Sequence, residues 1–310
     1  MKIAYLILAH KDPFQLRRLI QALNVPGATG FFIHIDAKTE ADPFMEQVSG
    51  IDNCQFLFVK NRVDVFWGGM SICKAESELF HLALQHSPQF ERFILLSGQD
   101  YPLWSNKRIF DEIASHPQKL YMKAYNLSAI NYPPRHILGR ITRYHFRDIN
   151  ITNDAIRRVV VGGLGRLMAY APLRKKKNVI LKDKCCDVWG GSQWLNINRE
   201  CAEYIMDVWD NSRELKQYFK TSLAPDELLF QTIIYNSHFK NYAESFEEGS
   251  NYPGLEATTI THYIEYKQAQ KVFVESDFEK LISSDKMFFR KVETGISDSL
   301  LDKIDTYRND

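Results

Sequence analysis

An α/β fold built on a mainly parallel, twisted sheet is what this chain of 310 residues predicts, and three observations carry that reading. Strand-like and helix-like segments alternate through the first hundred residues with short connections between them. Polar residues suited to ligand contact fall just past predicted strands, where ligands of parallel sheets bind. After a basic stretch the same alternation resumes from Val188.

The elements follow in order. Residues 3–9 are an apolar run of strand formers. Asp12-Pro13 then opens a helix whose Leu16, Leu19, Ile20 and Leu23 keep the i, i+3, i+4, i+7 spacing. Residues 31–35 form the next strand, ending at Asp36, and 56–59 another, followed by a loop and a helix over 71–85. Residues 93–96 are a further buried strand, and Ser105-Asn106 caps a helix reaching about Ser115. The middle has few strand signals and many cations, from Arg135 to Lys177; 155–170 can be written as a helix, which Gly162-Gly163 weakens. Past it come a strand over 193–197, helices over 199–209 and 226–235, and a last helix over 298–307. We read one domain over 1–310, with a nucleotide-binding half (1–125), a basic helical insertion (132–184) and a catalytic, acceptor-side half (185–310). There is no internal repeat and no low-complexity segment.

Bulk properties narrow the function. A net charge of +1 excludes a general nucleic-acid binder, whose footprint is strongly basic. No apolar run is long enough to span a bilayer, and the N-terminal run reads as a strand rather than a signal, so a cytoplasmic protein is expected. The five cysteines (Cys54, Cys73, Cys185, Cys186 and Cys201) show no metal-type or disulfide spacing, and the histidines no ligand spacing. A nicotinamide enzyme is excluded because no Gly-x-Gly-x-x-Gly follows the first strand.

Chemistry concentrates in four runs: Phe66-Trp67-Gly68-Gly69-Met70-Ser71, Leu96-Ser97-Gly98-Gln99-Asp100-Tyr101-Pro102, Trp189-Gly190-Gly191-Ser192-Gln193-Trp194, and Ser222-Leu223-Ala224-Pro225-Asp226-Glu227. Taken alone, Pro-Asp-Glu is an ordinary helix start, with proline in the first turn and acids near the positive end of the dipole. The glycine pairs permit close approach or unusual dihedrals. Trp67, Trp189 and Trp194 suit either sugar faces or the core.

In this order the four runs resemble the core-2/I-branching glycosyltransferase family, which includes β-1,6-N-acetylglucosaminyltransferases and peptide O-xylosyltransferases. The resemblance runs from Ile3 to about Asp305 and is weakest between Tyr132 and Lys184. It implies a GT-A-like (Rossmann-like) fold and an inverting, metal-independent transfer from a UDP-sugar, with GlcNAc or xylose as the sugar. It also implies that Glu227 is the catalytic base, which the helix dipole would keep ionised. Phe288-Phe289-Arg290-Lys291-Val292 resembles the family's Phe-Ala-Arg-Lys-Phe run, so Lys291 is expected on the diphosphate with Arg290 beside it. An isolated Arg-Lys would be a solvated pair. His262 stands where the family carries an arginine, and a partly charged histidine is a weaker phosphate clamp.

By the same resemblance Asp36 would read the uracil edge, although an aspartate after a strand also simply caps a loop. Ala9 and His10 would wall that pocket, and Gly191 and Ser192 would meet the donor. Trp67, Gln99, Asp100, Trp194 and Tyr266 are the acceptor-side candidates. No cofactor and no metal are expected, since the chain has no Asp-x-Asp; Glu40-Ala41-Asp42 is a weak metal candidate and Glu275-Ser276-Asp277 a helix cap. Animal members of the family are anchored Golgi proteins; this chain reads as a bacterial form acting on a surface glycan or a lipid-linked oligosaccharide. Residues 157–177 mix cations with apolar side chains, which suits either peripheral membrane contact or packing on the domain itself. The alternative function is a carbohydrate-binding protein of the same fold with reduced catalysis.

Overall fold

The apolar run at the start of the chain is buried on both sides, and that organises the molecule. In the computed structural model it forms β1 (Ile3–Ala9). Ile3, Tyr5 and Ile7 enter one apolar cluster, while Ala4 and Leu6 enter another. Side chains alternate faces along a strand, so a strand apolar at every position needs cover on both. The structure describes residues 1–52, 56–86, 89–130, 134–247, 251–266 and 270–309. Cys54 and Tyr132, the latter the expected start of the insertion, lie outside the described residues.

From β1 the chain continues through α1 (Pro13–Leu23), β2 (Thr29–Ile35), α2 (Asp42–Ser49), β3 (Phe56–Phe58), α3 (Met70–Gln85) and β4 (Arg92–Ser97). Next come β5 (Asp100–Pro102), α4 (Asn106–Ser115), β6 (Lys123–Asn126), α5 (Arg135–Thr142) and α6 (Asp154–Tyr170). The hairpin β7 (Asn178–Leu181) and β8 (Lys184–Asp187) precedes β9 (Trp189–Gly191), β10 (Asn196–Asn198), α7 (Arg199–Asn211) and α8 (Arg213–Phe219). The chain ends with α9 (Leu229–Tyr235), β11 (Glu244–Ser245), α10 (Leu255–Thr258), β12 (His262–Ile264), α11 (Phe278–Ile282), β13 (Phe288–Arg290) and α12 (Asp298–Asn309).

The central sheet has the order β10-β4-β1-β2-β3. β4, β1, β2 and β3 run parallel, and β10 closes the edge antiparallel. This is the α/β architecture that the strand and helix alternation predicts. The order reverses between β1 and β4, so the carboxyl ends of those strands open a crevice at the switch point. Helices α1 and α12 cover one face of the sheet, and α3, α7 and α9 cover the other. Asp12 caps α1 by accepting from Gln15 N, and the same carboxylate accepts from the Thr294 backbone and hydroxyl, which ties the C-terminal segment to the first helix.

Short strands are where structure and sequence part. Two further three-stranded sheets, β11-β6-β9 and β12-β13-β5, flank the crevice, and none of these segments carries a long alternating pattern. The strand expected over 193–197 is only β10, because the chain turns through Ser192 and Gln193 toward the crevice. The helix over 155–170 forms despite its glycines. Among the described residues no helix is long and apolar enough to cross a membrane.

Gly30 lies in β2 facing Phe90, and a Cβ there would sit 2.4 Å from the ring. Phe90 is in turn held edge-on to Phe32 at 5.4 Å. Gly30→Ala should therefore destabilise the fold by about 1–3 kcal/mol, the usual cost of an overpacked core. Urea unfolding followed by circular dichroism checks this; a midpoint equal to that of the wild type would show that Phe90 has room to move.

Candidate active site

The Pro-Asp-Glu run does not open the helix that sequence reasoning places over 226–235. Ala224 takes a left-handed backbone (φ 51°), and Pro225–Glu227 then make one tight 3-10 turn. The chain breaks at Leu228 (φ −129°), and α9 begins only at Leu229. Both acids of the turn line a cavity of about 450 Å³, Asp226 buried and Glu227 more open.

The charge on Glu227 is compensated by an arginine rather than by a helix dipole. Arg140 Nη2 donates to Glu227 Oε2 at 2.7 Å, and the same guanidinium donates to the carbonyls of Leu223 (3.3 Å) and Ala224 (3.1 Å). One side chain thus fixes the carboxylate and the backbone leading into the turn. Burial alone would weaken the Arg140 cation, but Glu227, together with Tyr125 and Asp226, outweighs it and holds the guanidinium above its ordinary pKa.

Beneath this turn lies a second pair of acids. Glu76 on α3 is fully buried and accepts from Gln193 Nε2 at 2.9 Å. Glu76 Oε2 and Asp226 Oδ1 are buried with no hydrogen-bond partner. Burial first, then the neighbouring carboxylates, push both groups well above the usual carboxylate range. The pair therefore retains a proton that a surface acid would lose.

The cavity wall is a stack. Trp194 packs against the Arg290 guanidinium, 4.5 Å from its ring centroid, and against the His262 ring at 4.9 Å; Phe288 stacks on His262 at 5.1 Å. Behind the stack, Asp100 is completely buried, accepting from Ser97 N at 2.7 Å and facing His262 Nε2 at 3.2 Å and Arg290 Nε at 3.4 Å. Backbone pairing of Arg290 with Asp100 sets this register.

Several expected contacts move accordingly. His262 is buried against Asp100, its pKa lowered by burial, and does not reach the cavity surface as the displaced phosphate clamp would require. Asp100 and Gln99 are also buried and hold the wall together instead of meeting an acceptor; Gln99 Nε2 reaches Val292 O and Glu293 Oε1. Gly191 sits inside the β6–β9 pairing, where a Cβ would lie 2.8 Å from Lys123 O, so its smallness serves strand packing. Trp67, Ser192, Trp194, Tyr266 and Arg290 do line the cavity with Glu227.

A second cluster occupies the carboxyl ends of the sheet. Glu293 Oε1 accepts from Lys11 Nζ at 2.8 Å and lies 2.9 Å from Lys291 Nζ; these two ammonium groups hold its carboxyl down at about 2. His10 is exposed there, its pKa lowered by partial burial and by Lys11, with Asp36 opposing. Ala9 is buried beneath, and Asp36 is held at both oxygens by Lys38 Nζ at 2.8 Å. Among the described residues no three His, Cys, Asp or Glu side chains gather as a metal site.

Sequence reasoning missed Arg140, Glu76 and Asp148. Asp148 accepts from the Ser71 hydroxyl (2.7 Å), and Ser71 Oγ accepts from Phe66 N (2.8 Å), which fixes the loop before α3. A Cβ on Gly69 would lie 2.0 Å from Asp148 Oδ1, and Gly68 has a φ of 72°, so both glycines are required where they stand. Trp67 is left 75% exposed at the cavity edge. The glycine pair was the only local signal for Asp148; Arg140 and Glu76 lie outside any recognisable run.

Known proteins resemble this chain over most of its length. The chain is 24% identical to xylosyltransferase 2 of Homo sapiens over 242 residues, 76% of this chain and 25% of that protein. It is 26% identical to a β-1,3-galactosyl-O-glycosyl-glycoprotein β-1,6-N-acetylglucosaminyltransferase 4 of Mus musculus, over 75% of this chain and 46% of that one. The chain thus spans about a quarter of the human relative's length. A solved structure of mouse xyloside xylosyltransferase 1 aligns with 80% of this chain and 86% of its own, at 10% identity and a TM-score of 0.34. Residues 3–247 match the family model described as "Branch: Core-2/I-Branching enzyme". With most of its length inside that match, and with Glu227 presented to the cavity, the protein belongs to the core-2/I-branching enzyme family.

Proposed function

We propose that this chain is a glycosyltransferase that moves a sugar from a UDP-sugar to a glycan or lipid-linked oligosaccharide acceptor, inverting the anomeric carbon. The observation that carries the reading is Glu227, held by Arg140 at the edge of a cavity whose wall also bears Arg290. A single displacement needs a base on the acceptor side and positive charge on the leaving-group side. Glu227 takes the proton of the attacking hydroxyl as the new C–O bond forms. The bond from the anomeric carbon to the diphosphate breaks, and UDP leaves toward Arg290 and Lys291.

Trp67 and Tyr266 give the cavity flat apolar faces for sugar rings, and Ser192 adds a hydroxyl. His10 and Asp36, at the carboxyl ends of β1 and β2, mark where the nucleoside would sit. For Asp36 to read a uracil edge, the Lys38 ammonium must share it. GlcNAc and xylose are the favoured sugars, because the relatives named above transfer those groups. Reduced catalysis is the second reading, supported by Lys291 already having Glu293 as a counter-ion; release of UDP by the purified protein separates the two.

Glu227→Gln should keep donor affinity and lower turnover by roughly two to four orders of magnitude, the span expected for loss of a general base. Single-turnover kinetics with excess enzyme measures it, and a variant retaining more than about a tenth of the rate removes Glu227 from that role.

Lys291→Ala should weaken UDP about ten- to a hundred-fold while leaving uridine nearly unchanged, since a charge-assisted bond to phosphate contributes about 1.5–3 kcal/mol. Calorimetric titration of both ligands reads this directly. Equal losses would place Lys291 in the fold instead.

Turnover should also survive EDTA, because Arg290 and Lys291 supply the cations that a metal would otherwise bring to the diphosphate. Loss of activity restored by added Mn²⁺ or Mg²⁺ would reject the metal-free reading and turn attention to Glu40 and Asp42.

A further inference from the structure

Helix α6 is a long element whose outer side nothing described covers. None of its described side chains is buried. Ile156, Val159, Gly163, Leu167 and Tyr170 follow one another at intervals of three or four residues, the spacing of a single helix face. Ile156 is 54% exposed, Val159 74%, Leu167 61% and Tyr170 89%. A Cβ added at Gly162, Gly163 or Gly165 would meet nothing within 4 Å, so no packing neighbour explains these glycines.

The surrounding charge has one sign. Residues 155–177 contain seven Lys and Arg and no Asp or Glu, in a chain whose overall charge is only +1. Arg166 is exposed on the helix, and Arg174, Lys176 and Lys177 are exposed just beyond its end. An apolar stripe flanked by cations complements a bilayer with anionic headgroups. It opposes pairing with a second copy, which would set like charges face to face.

Both ends of the segment are fastened to the loops that frame the cavity. The Arg157 guanidinium lies 4.2 Å from the Phe66 ring centroid and donates to the carbonyls of Arg147 and Ile149. Arg147 in turn lies over Trp67 at the cavity edge. At the other end Lys175 Nζ donates to Ser222 Oγ at 2.8 Å and to Tyr218 O at 2.6 Å, close before the Pro225–Glu227 turn.

We propose that α6 docks on an anionic membrane surface through Ile156, Val159, Leu167 and Tyr170, and so holds the mouth of the cavity beside the bilayer. On the functional reading above, an acceptor carried on a lipid would then reach Glu227 without leaving the membrane plane. Docking itself does not depend on turnover, and it is tested without donor or acceptor.

The test is flotation of the whole chain with vesicles of phosphatidylcholine alone or mixed with phosphatidylglycerol. The wild type should float only with the mixed vesicles, and less as salt is raised. Lys176→Gln with Lys177→Gln should lower partitioning by about five-fold per residue, the contribution of one cation near such a surface. Leu167→Ser with Tyr170→Ser should lower it as well, while circular dichroism and turnover on a soluble acceptor stay unchanged for both pairs. The proposal is overturned if the wild type never floats, or if the Leu167/Tyr170 variant floats as the wild type does. It is equally overturned if size-exclusion shows a dimer that the Leu167/Tyr170 variant dissociates while vesicles bind neither protein.

Discussion

A buried acid needs partners that offset its desolvation, and the partners of Asp100 join the parts of this site. Asp100 follows the last parallel strand of the central sheet and has no access to solvent. Ser97 N supplies one hydrogen bond from its own turn; His262 and Arg290 come from strands more than 150 residues later. Meeting that demand brings β12 and β13 onto β5, and Arg290 is thereby laid over Trp194. The cavity wall is thus built on the partners of one buried acid.

The same constraint operates at Glu227. Its partner Arg140 belongs to the basic middle of the chain, which carries no motif of its own. Removing either member of such a desolvated pair leaves a charge whose isolation costs about 3–5 kcal/mol. Arg140 also holds the carbonyls of Leu223 and Ala224, so the left-handed residue before Pro225 and the orientation of the carboxylate are fixed together. The middle segment thus holds the Pro225–Glu227 turn in place, and α6, which follows it, is anchored to loops on either side of the cavity.

Beside Glu227 the protein keeps two buried acids. Glu76 and Asp226 oppose each other's ionisation, and a carboxyl that stays protonated adds no further negative charge next to the Glu227–Arg140 pair. Lys291 is arranged differently: it shares Glu293 with Lys11 in a compact ion cluster at the sheet end.

The sequence by itself determined the α/β class, because strands buried on both faces and amphipathic helices leave patterns that local periodicity reveals, as at 3–9 and at Leu16, Leu19, Ile20 and Leu23. It also picked out Glu227, Trp67, Trp194, Ser192, Tyr266 and Arg290, all of which line one cavity, because short runs with unusual residue types stand out from their surroundings. Only the tertiary structure decided that Asp100, Gln99 and His262 lie behind the cavity wall, since a side chain's burial depends on strands that pair from distant parts of the chain. It alone supplied Arg140 and Glu76 beside the Pro225–Glu227 turn: an ion pair across 87 residues, or a hydrogen bond between helix α3 and a loop, leaves no trace in local spacing. The tight turn at Pro225–Glu227 was hidden for a related reason. Helix-start signals describe what a segment prefers, and here the contacts of Arg140 and the burial of Asp226 override that preference.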